Sequence, residues 1–309
     1  MKEKVLIVKL GFTETIDKRI STDNVSLGDV FRTTAILHLF KNDKVAWLTT
    51  KEAMPLLTKN PYIDRLLVYN MTTVLQLQSE QFDVVVNLEK VPGVCAFTDA
   101  IQAWRRYGFR FDPKKGAAEA YEHSYEVVAN SLDPGLRRNM TKNWIEMLYA
   151  MVGAKWQGEG YILGYKPRTK EKYDIGFNLK VGSRWPNKAW PDKNWQKLEE
   201  LLKDEYSISY QESPDKIEGY IDWLNSCRLI VTNDSLGLHL AIALKKKIAA
   251  LFGPTSEREV NLFNNGVVIR SDKKLKCMPC FNPVCRTHAG CMDLIKPEKV
   301  YVEIKKMLE

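Results

Sequence analysis

No apolar run in this chain of 309 residues approaches the roughly 20 residues that a membrane-crossing helix needs. Internal repeats and low-complexity tracts are missing as well, which sets aside solenoids and extended disordered arrays. The opening stretch MKEKVLIVKL has too short an apolar run for a secretory signal and no small-residue cleavage site. It reads as a buried first strand, and the expected location is the cytoplasm. Basic residues are scattered and no aromatic-basic RNA motif occurs, which argues against a nucleic-acid-binding protein. Cysteine is scarce outside one short stretch that holds four of the six.

What remains is the composition of a soluble globular protein, with 45% apolar and 27% charged residues. Its length suits two domains of about 150 residues each. A net charge of +8 favours anionic partners such as nucleotides, phosphorylated lipids, a membrane surface or nucleic acid, without choosing among them.

Short β-rich runs alternate with helical patterns along the chain. In the first half, strands are expected at Val5–Val8, Val45–Thr49, Leu66–Val68 and Asp83–Asn87. Helices are expected at Asp29–Phe40, Met54–Thr58, Thr72–Gln78, Tyr121–Asn130 and Asn143–Met151. Gly164–Lys172 is polar, charged and proline-bearing, as a linker would be. A second series follows, with strands at Asp174–Asn178, Ser207–Tyr210, Leu229–Thr232 and Ile248–Phe252. Its helices are expected at Asp192–Lys203, Ile217–Asn225 and Pro297–Leu308. The natural architecture is two parallel α/β domains facing across a cleft, residues 1–165 and 166–309.

The segment RLIVTNDSLGLHLAIALKKKIAALFGPT, from Arg228 to Thr255, reads as strand, tight turn, helix and strand. In an open parallel sheet, ligands gather beyond the carboxyl ends of strands, where helix N-termini offer free N–H groups to phosphate. Asp234, Ser235 and Thr255 would lie on that edge. Capping of an ordinary βαβ turn would use the same residue types. A second junction holds Lys9, at the end of the first strand, and Asp29, at the opening of the first helix. From the residues alone, Asp29 is either a carboxylate complementing the helix dipole or a general base.

Three separated blocks carry a resemblance. NDSLGLHLAIAL with ALFGPT resembles the C-terminal signature of glycosyltransferase family 9, the lipopolysaccharide heptosyltransferase family. KVLIVKL with SLGDVFRTTAIL is similar to that family's opening, and GFNLKVGSRWPNKAWPDKNWQKL (176–198) to its K-x-W-P strand-loop-helix. Two departures stand out. Gly237 sits one place later than the family's glycine, and residues 11–25 form a polar insertion expected to act as a flap on the acceptor side.

The resemblance implies a GT-B fold of two Rossmann-like parallel-sheet domains, with a last helix that often packs back on the first. It implies an inverting glycosyltransferase that takes heptose, or a related sugar, from ADP-heptose or a similar donor to a lipopolysaccharide core-type acceptor. Hexose transfer, protein O-heptosylation and nucleotide-sugar epimerisation are rivals on the same fold; a basic zinc-knuckle nucleic-acid binder is the non-enzyme rival. Asp29 becomes the base, and Lys9 helps to hold an anionic glycolipid acceptor. Lys188 binds the donor diphosphate, as a lysine beside a helix N-terminus can. Asn178, Ser183, Asp234, Ser235, Gly237, His239 and Thr255 are the further donor-side candidates.

Arg105 and Arg106, in the basic-aromatic stretch WRRYGFR, are either a solvated helix face or an acceptor-phosphate site. Trp190 and Trp195 read as packing residues. Cys277, Cys280, Cys285 and Cys291 fall within fifteen residues, and in a cytosolic chain clustered thiols point to metal. Four thiolates without a histidine suit a structural zinc or iron. No cofactor is expected for catalysis, and peripheral association with the inner membrane face suits the basic charge.

Overall fold

The computed structural model describes residues 2–12, 25–212, 216–273, 275–285 and 290–309. They divide into two compact units, Met1–Tyr165 and Lys166–Glu309.

The first unit is built on a six-stranded sheet. Its strands are β1 (Lys4–Val8), β2 (Lys44–Thr49), β3 (Arg65–Val68), β4 (Gln81–Asn87), β5 (Gln102–Asp112) and β6 (Ala117–Ala120). They lie in the order β3-β2-β1-β4-β5-β6, all parallel except the antiparallel β5–β6 pair. The central strands are near-continuous apolar runs because both faces of a parallel sheet are covered. Val5, Ile7, Val84 and Val86 pack into one core, and Leu6, Val8 and Val85 into another.

The second unit holds β7 (Tyr173–Asn178), β8 (Ile208–Tyr210), β9 (Cys227–Asn233), β10 (Lys247–Leu251) and β11 (Gly266–Ile269). Their order is β11-β10-β9-β7-β8, parallel throughout. In each sheet the chain leaves its first strand to one side and later returns on the other. The switch points fall between β1 and β4 and between β7 and β9. Open α/β sheets bind ligands at such points, beyond the carboxyl ends of the strands.

Several expectations change. Asp29–Phe40 is an α-helix only over Leu27–Arg32 and continues as a 3-10 helix over Thr33–Phe40. The hydroxyls of Thr33 and Thr34 bond back to the carbonyls of Asp29 and Phe31, both at 2.8 Å, in competition with the helical ladder. WRRYGFR lies on β5, a strand, and not on a helix. A helix at Pro92–Ala100 and the strands β6 and β11 add to the expected elements. The last helix, Pro297–Leu308, buries Val300 and Ile304 in the core of its own unit. The 11–25 insertion lies mostly outside the described residues. Among the described residues no helix is long and apolar enough to cross a membrane.

Candidate active site

At the switch point of the first unit the structure brings together four charged side chains. Lys9 follows β1, Glu89 follows β4, and Asp29 and Arg32 sit on the helix Leu27–Arg32. Lys9, Asp29 and Glu89 are buried, at 1%, 3% and 0% exposure. The Lys9 ammonium lies against Asp29 Oδ2 and 3.2 Å from Glu89 Oε1. Arg32 grips the other Asp29 oxygen through Nε at 3.0 Å and a terminal nitrogen at 2.8 Å. Burial alone would push the Asp29 carboxyl up, but Lys9 and Arg32 outweigh it and hold the group well below the usual carboxylate range. Burial pushes the Lys9 ammonium down, but Asp29 and Glu89 more than offset that, and it stays charged.

The turn after β1 explains how Asp29 reaches this point. Gly11 adopts φ +83°, and a Cβ there would lie 2.9 Å from both Ser26 O and Val30 Cγ2. Gly11 O accepts from Ser26 N at 2.8 Å, which ties the strand end to the start of the Asp29 helix. A cavity of about 540 Å³ opens along the same sheet edge, lined by Phe12, Leu27, Thr50, Lys51, Glu52 and Tyr69 among others.

The second unit has its own cluster at its switch point. Lys188, on the Pro186–Lys188 turn, pairs with Asp234 Oδ2 at 2.8 Å. Thr255, beyond β10, donates to the same oxygen at 2.8 Å. Burial raises the Asp234 carboxyl, but Lys188 and then His239 prevail and hold it down at about 2. Asn178 is fully buried and donates to Thr232 Oγ1 at 2.7 Å and to Ser235 Oγ at 3.0 Å. Ser235 is the N-cap of the helix Leu236–Ala243, and its side chain makes no capping bond. The first amides of that helix therefore point beyond the sheet edge without a side-chain acceptor from the cap.

Gly237 has a packing role. A Cβ at this position would lie 2.3 Å from both Asn178 Nδ2 and Tyr220 Oη, and Tyr220 Oη donates to Asn178 Oδ1 at 2.6 Å. His239 is buried on the same helix and close enough to Asp234 to favour its charge. Asn233 turns back to brace the edge: Oδ1 accepts from Trp190 N at 3.1 Å and Nδ2 donates to Leu179 O at 2.8 Å. Ser183 is exposed on the turn after β7.

Other sequence candidates lie elsewhere. Arg105 pairs with Glu3, near the amino end of the sheet. Arg106 donates to the carbonyls of Thr98 and Ile101 at the end of the helix Pro92–Ala100. Trp190 and Trp195 are core, in an edge-to-face pair at 4.9 Å.

Among the described residues no group of three or more Cys, His, Asp or Glu side chains is gathered at metal-holding distance. The four clustered cysteines are nonetheless neighbours. Burial pushes the Cys291 thiol up to about 11, and Cys280, Cys285 and Cys277 push it further the same way. This segment also packs on the turns that carry Lys188 and Thr255. Cys280 N and Phe281 N donate to Pro254 O at 3.0 and 2.8 Å, and Asn187 donates to Pro283 O and Asn282 O.

Glu89 was not foreseen. Its side-chain partners Lys9, Leu10 and Gly11 lie some 78 to 80 residues away in sequence, so no local pattern marks it.

Residues 213–289 match the family glycosyltransferase family 9 (heptosyltransferase). Over 82 residues the chain is 40% identical to lipooligosaccharide heptosyltransferase 2 of Campylobacter jejuni subsp. jejuni serotype O:6. That match spans 26% of this chain and 26% of the relative. The fold is similar to that of E. coli ADP-heptose lps heptosyltransferase II, with a TM-score of 0.69 at 16% identity over 99% of this chain and 98% of the other. It is also similar to the iron-containing dodecameric glycosyltransferase TibC of enterotoxigenic E. coli, with a TM-score of 0.61 at 11% identity over 99% and 76%. Residues 213–289 thus resemble glycosyltransferase family 9, and the chain as a whole shares the GT-B fold of the solved heptosyltransferases.

Proposed function

We propose that this chain is an inverting glycosyltransferase that moves heptose, or a closely related sugar, from ADP-heptose to a hydroxyl of a lipopolysaccharide core-type acceptor. The observation that carries this reading is the donor-side cluster: Lys188 held against Asp234 and Thr255 beside the helix Leu236–Ala243. A lysine and a helix N-terminus supply preorganised positive charge where a diphosphate would depart. They would take the place of a divalent cation, so no metal is expected in the chemical step.

In the reaction, the acceptor hydroxyl gives its proton to Asp29 while its oxygen bonds to the anomeric carbon. The anomeric carbon–oxygen bond to phosphate breaks on the opposite face, and ADP leaves with that electron pair. Lys188, Ser235 and the first amides of the helix hold the departing diphosphate. The acceptor sugar would occupy the cavity lined by Phe12, Thr50 and Tyr69. Lys9 is committed to Asp29 and Glu89 in this arrangement, so it acts on the base at least as directly as on an anionic acceptor.

The four cysteines have the donor set of a structural zinc or iron site, and their spacing within residues 277–291 supports that reading. Bound metal would rigidify the segment that hydrogen-bonds Pro254 and Asn187. An anionic glycolipid acceptor and peripheral membrane association suit the charge of +8.

Calorimetric titration of ADP-heptose into the wild type and Lys188→Ala without divalent metal tests the donor, with UDP-glucose as control. Selective binding of ADP-heptose that is lost in the variant is the expected result. Equal or absent binding of the two nucleotide sugars would overturn the donor assignment.

A further inference from the structure

The β4 end carries a fully buried carboxylate that the proposed chemistry does not use. Glu89 Oε1 accepts from the amides of Leu10 and Gly11, both at 2.7 Å, and faces the Lys9 ammonium at 3.2 Å. Its own backbone is clamped by Asn87, whose Oδ1 accepts from Glu89 N at 3.0 Å and whose Nδ2 donates to Glu89 O at 3.2 Å. The second carboxylate oxygen, Oε2, is buried with no hydrogen-bond partner. A chain rarely keeps such an oxygen in its core when glutamine or an apolar residue would fill the same space.

The arrangement gives Glu89 two holds on Asp29. Through Leu10 and Gly11 it fixes the turn whose Gly11 carbonyl receives Ser26 N, the residue that opens the Asp29 helix. Through Lys9 it competes with Asp29 for one ammonium. The charged groups around Asp29 are Lys9 after β1, Arg32 on its own helix, and Glu89 and Lys90 after β4; Arg137, on the helix Pro134–Arg138, acts on Lys90. Without Glu89, Asp29 would face Lys9 and Arg32 alone, and a carboxylate so gripped takes up a proton reluctantly.

We propose that Glu89 is a positioning residue for proton transfer to Asp29, dividing the Lys9 charge between two carboxylates and anchoring the turn that presents the base. This rests on the transferase reading for the role of Asp29, but the charge coupling itself can be measured without substrate. Lys90 supplies the probe. Burial and the repulsion of Lys9 bring its ammonium down to about 7, partly opposed by Asp29 and Glu89, so it titrates in an accessible range.

Glu89→Gln keeps an acceptor for the two amides and removes only the charge. In substrate-free protein, the Lys90 ε-carbon signal followed by NMR should titrate at lower pH in Glu89→Gln than in the wild type. An unmoved midpoint overturns the proposal whatever reaction the chain performs. In transfer assays, Glu89→Gln should lower kcat by about tenfold or more with the donor KM nearly unchanged, and move the acid limb of the pH profile downward. Unchanged kcat and profile would also overturn it. Glu89→Asp restores the charge and should recover part of kcat; it decides the question if the glutamine variant does not fold. Should the wild type transfer nothing from ADP-heptose, the donor assignment falls, while the Lys90 titration still decides the coupling.

Discussion

Lys188 and Thr255 meet on a single oxygen of Asp234, Oδ2, each at 2.8 Å. Lys188 is thereby aimed at the sheet edge by a partner it cannot easily leave, and its ammonium also lies 5.1 Å from the Trp185 ring centroid. In the proposed function an incoming diphosphate would meet a lysine whose position is already fixed, which lowers the ordering cost of binding.

Lys188→Ala should therefore do two things at once. ADP affinity should fall by about tenfold or more, read by calorimetry. Stability should also fall by roughly 1–3 kcal/mol, because a largely buried carboxylate, 12% exposed, loses its counter-charge. The variant Lys188→Ala/Asp234→Asn should regain stability in thermal denaturation without regaining ADP binding.

The same pair sets a pH signature. Asp234 is ionised in the folded protein down to about 2, against an ordinary value of 3.8. Its stabilising effect is thus complete above about pH 4 and is lost as pH falls toward 2. Acid denaturation of the wild type should show this loss, on the order of 2 kcal/mol, and Lys188→Ala should show less of it.

Asp29→Asn should abolish transfer while leaving ADP binding intact, since every donor-side group named above belongs to the other unit. A drop of about 100-fold or more in kcat is the expected size for a lost general base. Retained activity would remove Asp29 from the proton-transfer role.

Gly237→Ala tests close packing. The added methyl would overlap Asn178 and Tyr220, and neither can retreat without breaking their 2.6 Å bond. The expected cost is about 1–3 kcal/mol, visible as a lower Tm, with weaker ADP binding through the displaced Asn178–Ser235 contact. A normal Tm would show that the helix can slide.

Metal content is a direct prediction of the cysteine segment. Elemental analysis should find about one zinc or iron per chain, and Cys280→Ser together with Cys285→Ser should remove it. Loss of the metal should weaken donor binding through Pro254 and Asn187, which the segment's backbone contacts.

Legibility in the sequence followed the range of the interactions. Lys188, Asp234 and Thr255 sit in contiguous strand-turn-helix patterns, and their meeting at one sheet edge follows from parallel topology. Gly237 is expected on the donor side, and its close approach to Asn178 and Tyr220 adds a packing demand set by other strands and helices, which no local pattern shows. Arg105 and Arg106 attracted attention by charge, yet β5 commits them to Glu3 and to the end of a helix. The break of the first helix at Thr33 depends on hydroxyl bonds to the backbone, which periodicity does not register. Glu89 carries no local signal because its side chain meets Lys9, Leu10 and Gly11, all on the strand end some 78 to 80 positions away.

Each charged cluster draws all its side chains from one unit: Lys9, Asp29, Arg32 and Glu89 from the first, Asn178, Lys188, Asp234 and Thr255 from the second. Under the proposed function, mutation could consequently alter the acceptor's fit without disturbing the donor's. A lineage would then retarget the sugar it decorates by rewriting residues before 166 while inheriting its nucleotide chemistry unchanged, and chimeras joined at that boundary would engineer the same exchange.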